Sequence, residues 1–261
     1  MPEGDTIHRT AASLRAALVG RRLRRVELPR RPPPAPGVGA QVVGVEARGK
    51  HLLIHSDDGL TVHTHQRMTG SWHLYAPGER WRKAARSARV VLGVDRMVAV
   101  CFSSPIVEVL DGGTLARHPT LRRLGPDLCD PAADLEGVVA RARRLGAGRS
   151  IGEVLLDQAV AGGIGNVYRC DVLFLHEVHP RTPVDELADH TLRSLFEVSA
   201  ELLRDNLGRQ VRTTVPRAAS GSLWVHGRGG RPCRRCATPI VVERSGEQAR
   251  FSYHCPVCQT R

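Results

Sequence analysis

Apolar residues first recur at helical spacing over residues 6–19, where Ile7, Ala11, Leu14 and Leu18 share one face. That period predicts an amphipathic helix, with Gly20 as its stop. From Leu23 to about Leu110 the pattern shortens to that of strands, for example Val42–Val45, Leu52–His55, Leu60–His65, Val90–Val94 and Val98–Phe102. Turn chemistry divides them at Pro32-Pro33-Pro34, Asp57-Asp58-Gly59 and Ala76-Pro77-Gly78. Short strands so spaced predict an antiparallel sandwich or barrel. From about Asp130 the pattern turns helical. Ser150-Ile151-Gly152-Glu153 has the form of a capping box, serine as cap and glutamate reaching back. Gly162-Gly163-Ile164-Gly165-Asn166 breaks the run before a second helical stretch to Leu175. Thr182-Pro183 reads as the start of a third helix reaching about Asn206, since proline is tolerated in a first turn. Residues 208–232, rich in Gly, Arg and Ser, read as a linker, and the last thirty residues as a separate small unit. No internal repeat is present.

Charge adds a partner to this picture. The chain carries a net +12, almost all of it arginine, because Lys50 and Lys83 are the only lysines. Such an excess points to a polyanion. No apolar run is long enough for a transmembrane helix, and Glu3, Asp5, Arg9 and Arg15 leave no room for a signal-peptide hydrophobic region. A cytoplasmic protein with reduced thiols is therefore expected.

Seven cysteines, an odd number, sit unevenly. Cys101, Cys129 and Cys170 are scattered and read as small buried residues. Cys233-Arg234-Arg235-Cys236 and Cys255-Pro256-Val257-Cys258 form two C-x2-C pairs across an 18-residue spacer. Four soft thiolates close a tetrahedral shell, which predicts one structural Zn2+. Between the pairs, Ile240–Glu243 and Arg250–Tyr253 read as a hairpin turning at Ser245-Gly246, so the module is a zinc ribbon. A unit this small could hardly fold without its metal. Arg228, Arg231, Arg234, Arg235, Arg244 and Arg250 surround it and suggest nucleic-acid contact.

The glycine-rich turn before Asn166 offers backbone N–H groups at a helix start, the arrangement that receives a phosphate. A plain interhelical turn is the alternative, and Asn166 itself could be either an N-cap or a phosphate donor. At the other end of the chain, Met1-Pro2-Glu3 acquires meaning from chemistry. Removal of Met1 would leave Pro2 as a free secondary amine. An α-amino group has a pKa of about 7.8 against about 10.4 for lysine, so far more of it is uncharged at neutral pH. Such an amine can form an iminium with a sugar aldehyde carbon, and Glu3 stands beside it for acid–base work.

Taken together, Pro2-Glu3-Gly4, Lys50 within Arg48-Gly49-Lys50-His51-Leu52-Leu53, the stretch from Leu155-Leu156-Asp157-Gln158 through Gly163-Ile164-Gly165-Asn166-Val167-Tyr168, and the terminal cysteine module occur in this order. The chain thereby resembles the formamidopyrimidine-DNA glycosylase/endonuclease VIII family over essentially its whole length. The Met-Pro-Glu-Gly-Asp-Thr start and Asp157-Gln158 are more similar to the endonuclease VIII branch, especially its actinobacterial members. The resemblance implies an α+β multidomain fold: an N-terminal antiparallel β-sandwich (1–128), a helix–two-turn–helix domain (129–222) and a zinc ribbon (223–261). It implies a bifunctional DNA glycosylase/AP lyase of base excision repair acting on damaged DNA as a monomer, cytoplasmic and nucleoid-associated. Carried over, Pro2 is the nucleophile at C1′, Glu3 assists base loss and ring opening, and Lys50 contacts phosphate flanking the lesion. Asn166 and Arg250 hold phosphates, and Met68 matches the wedge that fills the space of a flipped base, a core methionine being the alternative.

Oxidised pyrimidines are the expected lesions. Oxidised purines, or a non-catalytic damaged-DNA-binding role, are the alternatives, and a tautomerase using the N-terminal amine as base is a more distant one. The Arg-x-Phe pair of the formamidopyrimidine branch has no counterpart in Phe102-Ser103-Ser104-Pro105-Ile106-Val107, so reading of the opposite base is left open. Asp5 receives no role. His51, His55, His63 and His65 read as polar-face strand residues rather than a second metal site.

Overall fold

The computed structural model describes residues 2–28, 35–245 and 250–260. The expected Pro32-Pro33-Pro34 turn and Gly246 of the ribbon turn lie outside the described residues. The chain divides into two units, Met1–Arg122 and Arg123–Arg261, and each is taken by itself.

In the first unit, helix α1 (Gly4–Leu18) buries Ile7, Ala11, Leu14 and Leu18, the face expected from their spacing. Eight strands follow: β1 (Arg25–Glu27), β2 (Val42–Arg48), β3 (His51–Ser56), β4 (Leu60–His65), β5 (Ser71–Tyr75), β6 (Ala88–Gly93), β7 (Val98–Phe102) and β8 (Ile106–Asp111), then a short helix α2 (Gly112–Arg117). They form two four-stranded antiparallel sheets, ordered β1-β6-β7-β5 and β2-β3-β4-β8. One apolar core joins them. It takes Val42, Leu52, Ile54, Val62 and Val107 from one sheet, Val90, Leu92, Ala99 and Cys101 from the other, and the buried face of α1. The outer face of the first sheet is covered as well, by Tyr75, Phe102 and Trp81. That double cover explains why β7 is buried at every position and reads as a continuous apolar run rather than an alternation.

In the second unit, α3 (Leu135–Gly146) starts at Asp134, whose carboxylate accepts from Gly137 N at 2.9 Å. The expected capping box is present: Ser150 N donates to Glu153 Oε2 at 3.2 Å at the head of α4 (Ile151–Val154). Helices α5 (Asn166–Leu175) and α6 (Asp189–Asp205) complete the helical part, around a core that includes Ile151, Leu155, Ile164, Tyr168, Leu173, Leu192 and Phe196. Strands β9 (Val241–Ser245) and β10 (Arg250–His254) pair antiparallel as the ribbon hairpin.

Two expectations need correction. The third helix does not start at Thr182-Pro183. Pro183 is extended (ψ 139°) and bridges to Ser150, Thr182 O accepts from Ile151 N at 2.8 Å, and α6 begins only at Asp189. Nor is 208–232 a loose linker. Asn206 clasps Thr213 through both amide atoms (2.8 and 3.0 Å), and Trp224 Nε1 donates to Thr214 O at 3.1 Å. Beneath them lies Asp171, fully buried on α5. Its carboxylate accepts from Trp224 N (2.9 Å), Val225 N and His226 N (3.0 Å each) and the Thr214 hydroxyl. Ionised carboxylates can satisfy that many donors at once, so one helical side chain organises a segment without regular structure.

Candidate active site and nucleic-acid contacts

Pro2 and Glu3 immediately precede α1. Glu3 is the N-cap: its carbonyl accepts from Thr6 N (3.0 Å) and Ile7 N (3.1 Å), and its side chain is fully buried. The cap therefore rests on the Glu3 main chain, leaving the carboxyl outside the helix-starting bonds. Arg15, in the last turn, donates to Val45 O at 3.1 and 2.6 Å and ties α1 to β2. Lys50 occupies the turn between β2 and β3, where Arg48 pairs with His51. Gly49 takes the left-handed conformation (φ +58°) at the first of the two turn positions, as a tight hairpin requires.

Met68 lies between β4 and β5 and is 68% exposed. The core reading of this methionine is thereby removed. The loop that presents it is closed by Gly70 N donating to Gln66 O at 2.8 Å, and a Cβ on Gly70 would sit 2.7 Å from Gln66 backbone atoms. Only glycine fits there. Arg67 adopts a positive φ of 45°, its N–H donating to His65 Nδ1 at 3.2 Å, and Thr69 Oγ1 donates to Ser103 O at 2.9 Å.

The histidines of this unit do not form an exposed polar face. His51 Nδ1 lies 2.8 Å from His63 Nε2, His63 Nδ1 lies 2.8 Å from Glu108 Oε2, and His118 Nε2 lies 3.0 Å from the same oxygen. Leu121 N donates to His118 Nδ1 at 3.2 Å, which assigns the proton of His118 to Nε2. Glu108 then accepts from both imidazoles, and His63 Nε2 accepts from His51 Nδ1. Every nitrogen facing Glu108 is thus a donor in use. Burial pushes the His51 imidazole pKa down to about 2, with the charges of His65, His63, His118 and Lys50 adding to it. Burial first, and the charges of Lys50 and Arg67 next, lower His65 to about 4. Glu108 and His118 were missed in the sequence because only strand pairing and α2 bring them to His63.

In the second unit, Asn166 is fastened to the residue that follows Arg250. Asn166 Nδ2 donates to Phe251 O at 2.8 Å, and the buried Arg169 donates to the same oxygen at 3.0 Å. The first turn of α5 is so fastened to β10 one residue beyond Arg250. Gly165, not Asn166, is the N-cap. The glycine turn is less open than expected: Gly162 N donates to Pro126 O (2.8 Å) and Gly163 N to Gln158 Oε1 (3.0 Å). Gln158 Nε2 donates to Ile164 O, and Asp157 pairs with Arg149 at 2.8 Å. The Asp157-Gln158 motif thus shapes the turn. Several ribbon arginines are also committed internally. Arg234 donates to Leu223 O, Arg228 to Trp224 O and Pro232 O, and Arg235 pairs with Glu177 while lying over Phe174.

Cys233, Cys236, Cys255 and Cys258 converge within 4.8 Å of one another. Their closest sulfur separations are 3.4, 3.6 and 3.9 Å. A tetrahedral ion with metal–sulfur bonds of about 2.3 Å sets sulfurs about 3.8 Å apart, so the donor set fits one ion. Arg235 N and Cys258 N point at Cys233 Sγ (3.4 Å) and Cys255 Sγ (3.5 Å), the amide support expected around thiolates. Cys101, Cys129 and Cys170 are buried and stand outside this donor set, although Cys170 packs in the same core cluster as Cys233 and Cys255.

Known proteins agree with this arrangement. Residues 1–105 match the formamidopyrimidine-DNA glycosylase N-terminal domain, and residues 124–216 match the formamidopyrimidine-DNA glycosylase H2TH domain. The chain belongs to the formamidopyrimidine-DNA glycosylase family. Within it, this glycosylase-family chain is 41% identical to the probable endonuclease 8 2 of Streptomyces coelicolor, over 99% of this chain and 94% of that protein. It is also 41% identical to the DNA-(apurinic or apyrimidinic site) lyase Nei2 of Mycolicibacterium smegmatis, over 100% and 99%. Identity to the endonuclease 8 of Escherichia coli is 32%, over 99% and 100%. The fold matches that of Lactococcus lactis Fpg in complex with abasic-site DNA, with a TM-score of 0.81 over the whole of both chains at 21% identity. The sandwich, the helical part and the ribbon are therefore those of a formamidopyrimidine-DNA glycosylase family member of the endonuclease 8 kind. No helix among the described residues is long and apolar enough to cross a membrane.

Proposed function

We propose that this chain is a bifunctional DNA glycosylase/AP lyase of base excision repair, which removes oxidised bases, chiefly pyrimidines, and cuts the strand at the abasic site. The carrying observation is the placement of Pro2-Glu3 at the positive end of α1, in a chain aligned end to end with endonuclease 8 proteins. Once Met1 is removed, the Pro2 nitrogen carries a lone pair, and the helix end disfavours its protonation. Attack of that nitrogen on C1′ forms the N–C1′ bond while the damaged base departs with a proton. Glu3, buried beside it, handles the proton of the opening sugar ring. The resulting iminium acidifies C2′; loss of that proton expels the 3′ phosphate, and hydrolysis frees Pro2.

Lys50 at its hairpin tip, Asn166 at the head of α5 and Arg250 at the start of β10 grip the backbone, where contacts fix register without reading sequence. The exposed Met68 fills the gap left by the extruded nucleotide. The four cysteines hold one structural Zn2+, which fixes the hairpin bearing Arg250 and takes no part in the chemistry.

Borohydride trapping tests this reading. The full-length protein is incubated with oligonucleotides carrying thymine glycol, dihydrouracil, 8-oxoguanine or an abasic site, and the adduct is mapped by peptide mass. A reduced adduct on Pro2, strongest with the pyrimidine lesions and the abasic site, is expected. With two lysines in the chain, an adduct on Lys50 or Lys83 instead, or no adduct on any substrate, overturns the Pro2 mechanism.

A further inference from the structure

Three ligand-type side chains of the second unit meet away from the cysteine cluster. His179 lies in the connection between α5 and α6, Glu243 on β9 and His254 on β10. One donor atom from each falls within 4.8 Å of the other two. The rings of His179 and His254 stand edge to face, with centroids 4.8 Å apart. His254 is 6% exposed, and its Nδ1 is buried with no hydrogen-bond partner; Glu243 Oε1 is buried and equally without one. These two atoms face each other at 4.0 Å. That is too far for a hydrogen bond, yet both have been removed from water.

Two buried polar atoms left unmatched are costly, and such pairs call for something between them. The contrast with Glu108 is instructive. There two imidazole N–H groups close on the carboxylate at 2.8 and 3.0 Å and nothing is missing. Here the second carboxylate oxygen, Glu243 Oε2, is held by Arg181 at 2.6 Å, leaving Oε1 aimed at the histidines. A ligating carboxylate whose other oxygen is anchored by an outer hydrogen bond is a usual support of metal sites. His179 Nδ1 accepts from Arg181 N at 3.2 Å, so this ring ligates through Nε2 once that long contact is released and its proton moves to Nδ1. Two imidazoles and one carboxylate then form a donor set for Zn2+ that leaves a fourth position to water.

We propose that His179, Glu243 and His254 form a second zinc-binding site, distinct from the four-cysteine cluster. Its effect is to clip the α5–α6 connection to the ribbon hairpin, so that zinc stabilises the hairpin carrying Arg250 by an amount that rises with the logarithm of free zinc above the dissociation constant. The inference stands apart from the repair chemistry and survives even if the Pro2 mechanism fails.

The test is zinc stoichiometry of the full-length protein, by native mass spectrometry and metal analysis after equilibration with zinc and removal of the excess. Two zinc ions per chain are expected for the wild type and one for His254→Gln and for Glu243→Gln. The second equivalent should bind at least roughly tenfold more weakly in any variant that still takes it up. Cobalt supplies an independent readout. The first equivalent brings thiolate-to-metal charge transfer; the second adds only d–d absorption, which Glu243→Gln should remove even if His254→Gln folds poorly. One zinc per chain in the saturated wild type, or two retained at unchanged affinity in both variants, overturns the proposal.

Discussion

His51 donates from Nδ1 to His63 Nε2 over 2.8 Å, and that bond is the inner end of a chain ending on Glu108. The arrangement holds both rings neutral. His51 is depressed to about 2, mainly by burial and then by the charge of His65, and His63 is lowered by burial against the opposing pull of Glu108. A histidine whose folded pKa lies below its unfolded value of about 6.5 binds more protons when unfolded. Its stabilising contribution is complete above that value and is lost as pH falls below it. Each such ring costs up to about 1.4 kcal/mol per pH unit. Urea midpoints should therefore drop steadily between about pH 7 and pH 5, and His51→Gln should flatten the slope by close to one proton. A stability independent of pH in this range would show that the rings charge freely in the folded state.

Glu3→Gln separates the two chemical roles. The substitution leaves the Glu3 carbonyl bonds to Thr6 and Ile7 in place, so α1 keeps its start. The amide cannot take or give the proton of the opening sugar ring. Excision of a damaged base should fall by a hundredfold or more, on the order expected for a lost general acid–base. Nicking of a preformed abasic site should fall less. Equal single-turnover rates of mutant and wild type on a thymine glycol duplex would remove Glu3 from the mechanism.

Where chemistry is written in short contiguous motifs, it was legible in the sequence. The two C-x2-C pairs need no knowledge of the fold, and their four thiols do converge, whereas Pro2-Glu3 acquires its reading only from the other motifs that follow it in order. Strands such as Leu60–His65 were legible too, because one core imposes one burial pattern. Ser71–Tyr75 is less plain in the sequence: it holds no comparable buried run, and its register comes from β7. The organisation of 208–232 was illegible for a related reason. Its anchor, Asp171, lies on a helix far back in the chain, and nothing local in a run of Gly, Arg and Ser reveals a buried carboxylate beneath it. The same distance hid Glu108 and His118 from His63. Pro183 misled because proline suits a helix start and an extended bridge equally, and the pairing with Ser150 decided between them.

Asp171→Asn should therefore act at a distance. One of the two oxygens becomes an amide donor facing backbone N–H groups that it cannot accept from. Losing bonds to a buried charged acceptor costs on the order of 3 kcal/mol. The expected result is a lower urea midpoint with early proteolytic cleavage between Thr213 and His226. A cleavage pattern identical to wild type would mean that the segment is held by Asn206 and Trp224 without Asp171.

Cys233→Ser should lose the thiolate-bound metal. Cys233 is buried, and its sulfur accepts from Arg235 N. Serine offers no soft thiolate, and a ribbon without its ion has little else to order it. Thiolate-to-cobalt charge transfer should disappear and affinity for abasic-analogue DNA should weaken. Undiminished charge transfer in the mutant would remove Cys233 from the coordination shell.

Arg250→Ala tests positioning apart from chemistry. Arg250 opens β10, one residue before the carbonyl that Asn166 and Arg169 both bind. Its guanidinium is proposed to take a phosphate, and phosphate contacts release counterions on binding. Loss of one such contact should weaken affinity about equally across lesions and flanking sequences, because the backbone is the same in all of them. The slope of log affinity against log salt should flatten by roughly one unit. Turnover should fall as well, since a loosely held sugar is seldom aligned with Pro2. The measurement is binding to a tetrahydrofuran-containing duplex over a salt series, for wild type and mutant. Asn166→Ala provides the contrast: it loses a bond to Phe251 O and no formal charge, so its affinity should fall while the salt slope stays that of the wild type. If Arg250→Ala also leaves the slope and the affinity unchanged, the arginine is a surface residue of the ribbon and the grip on the backbone lies elsewhere.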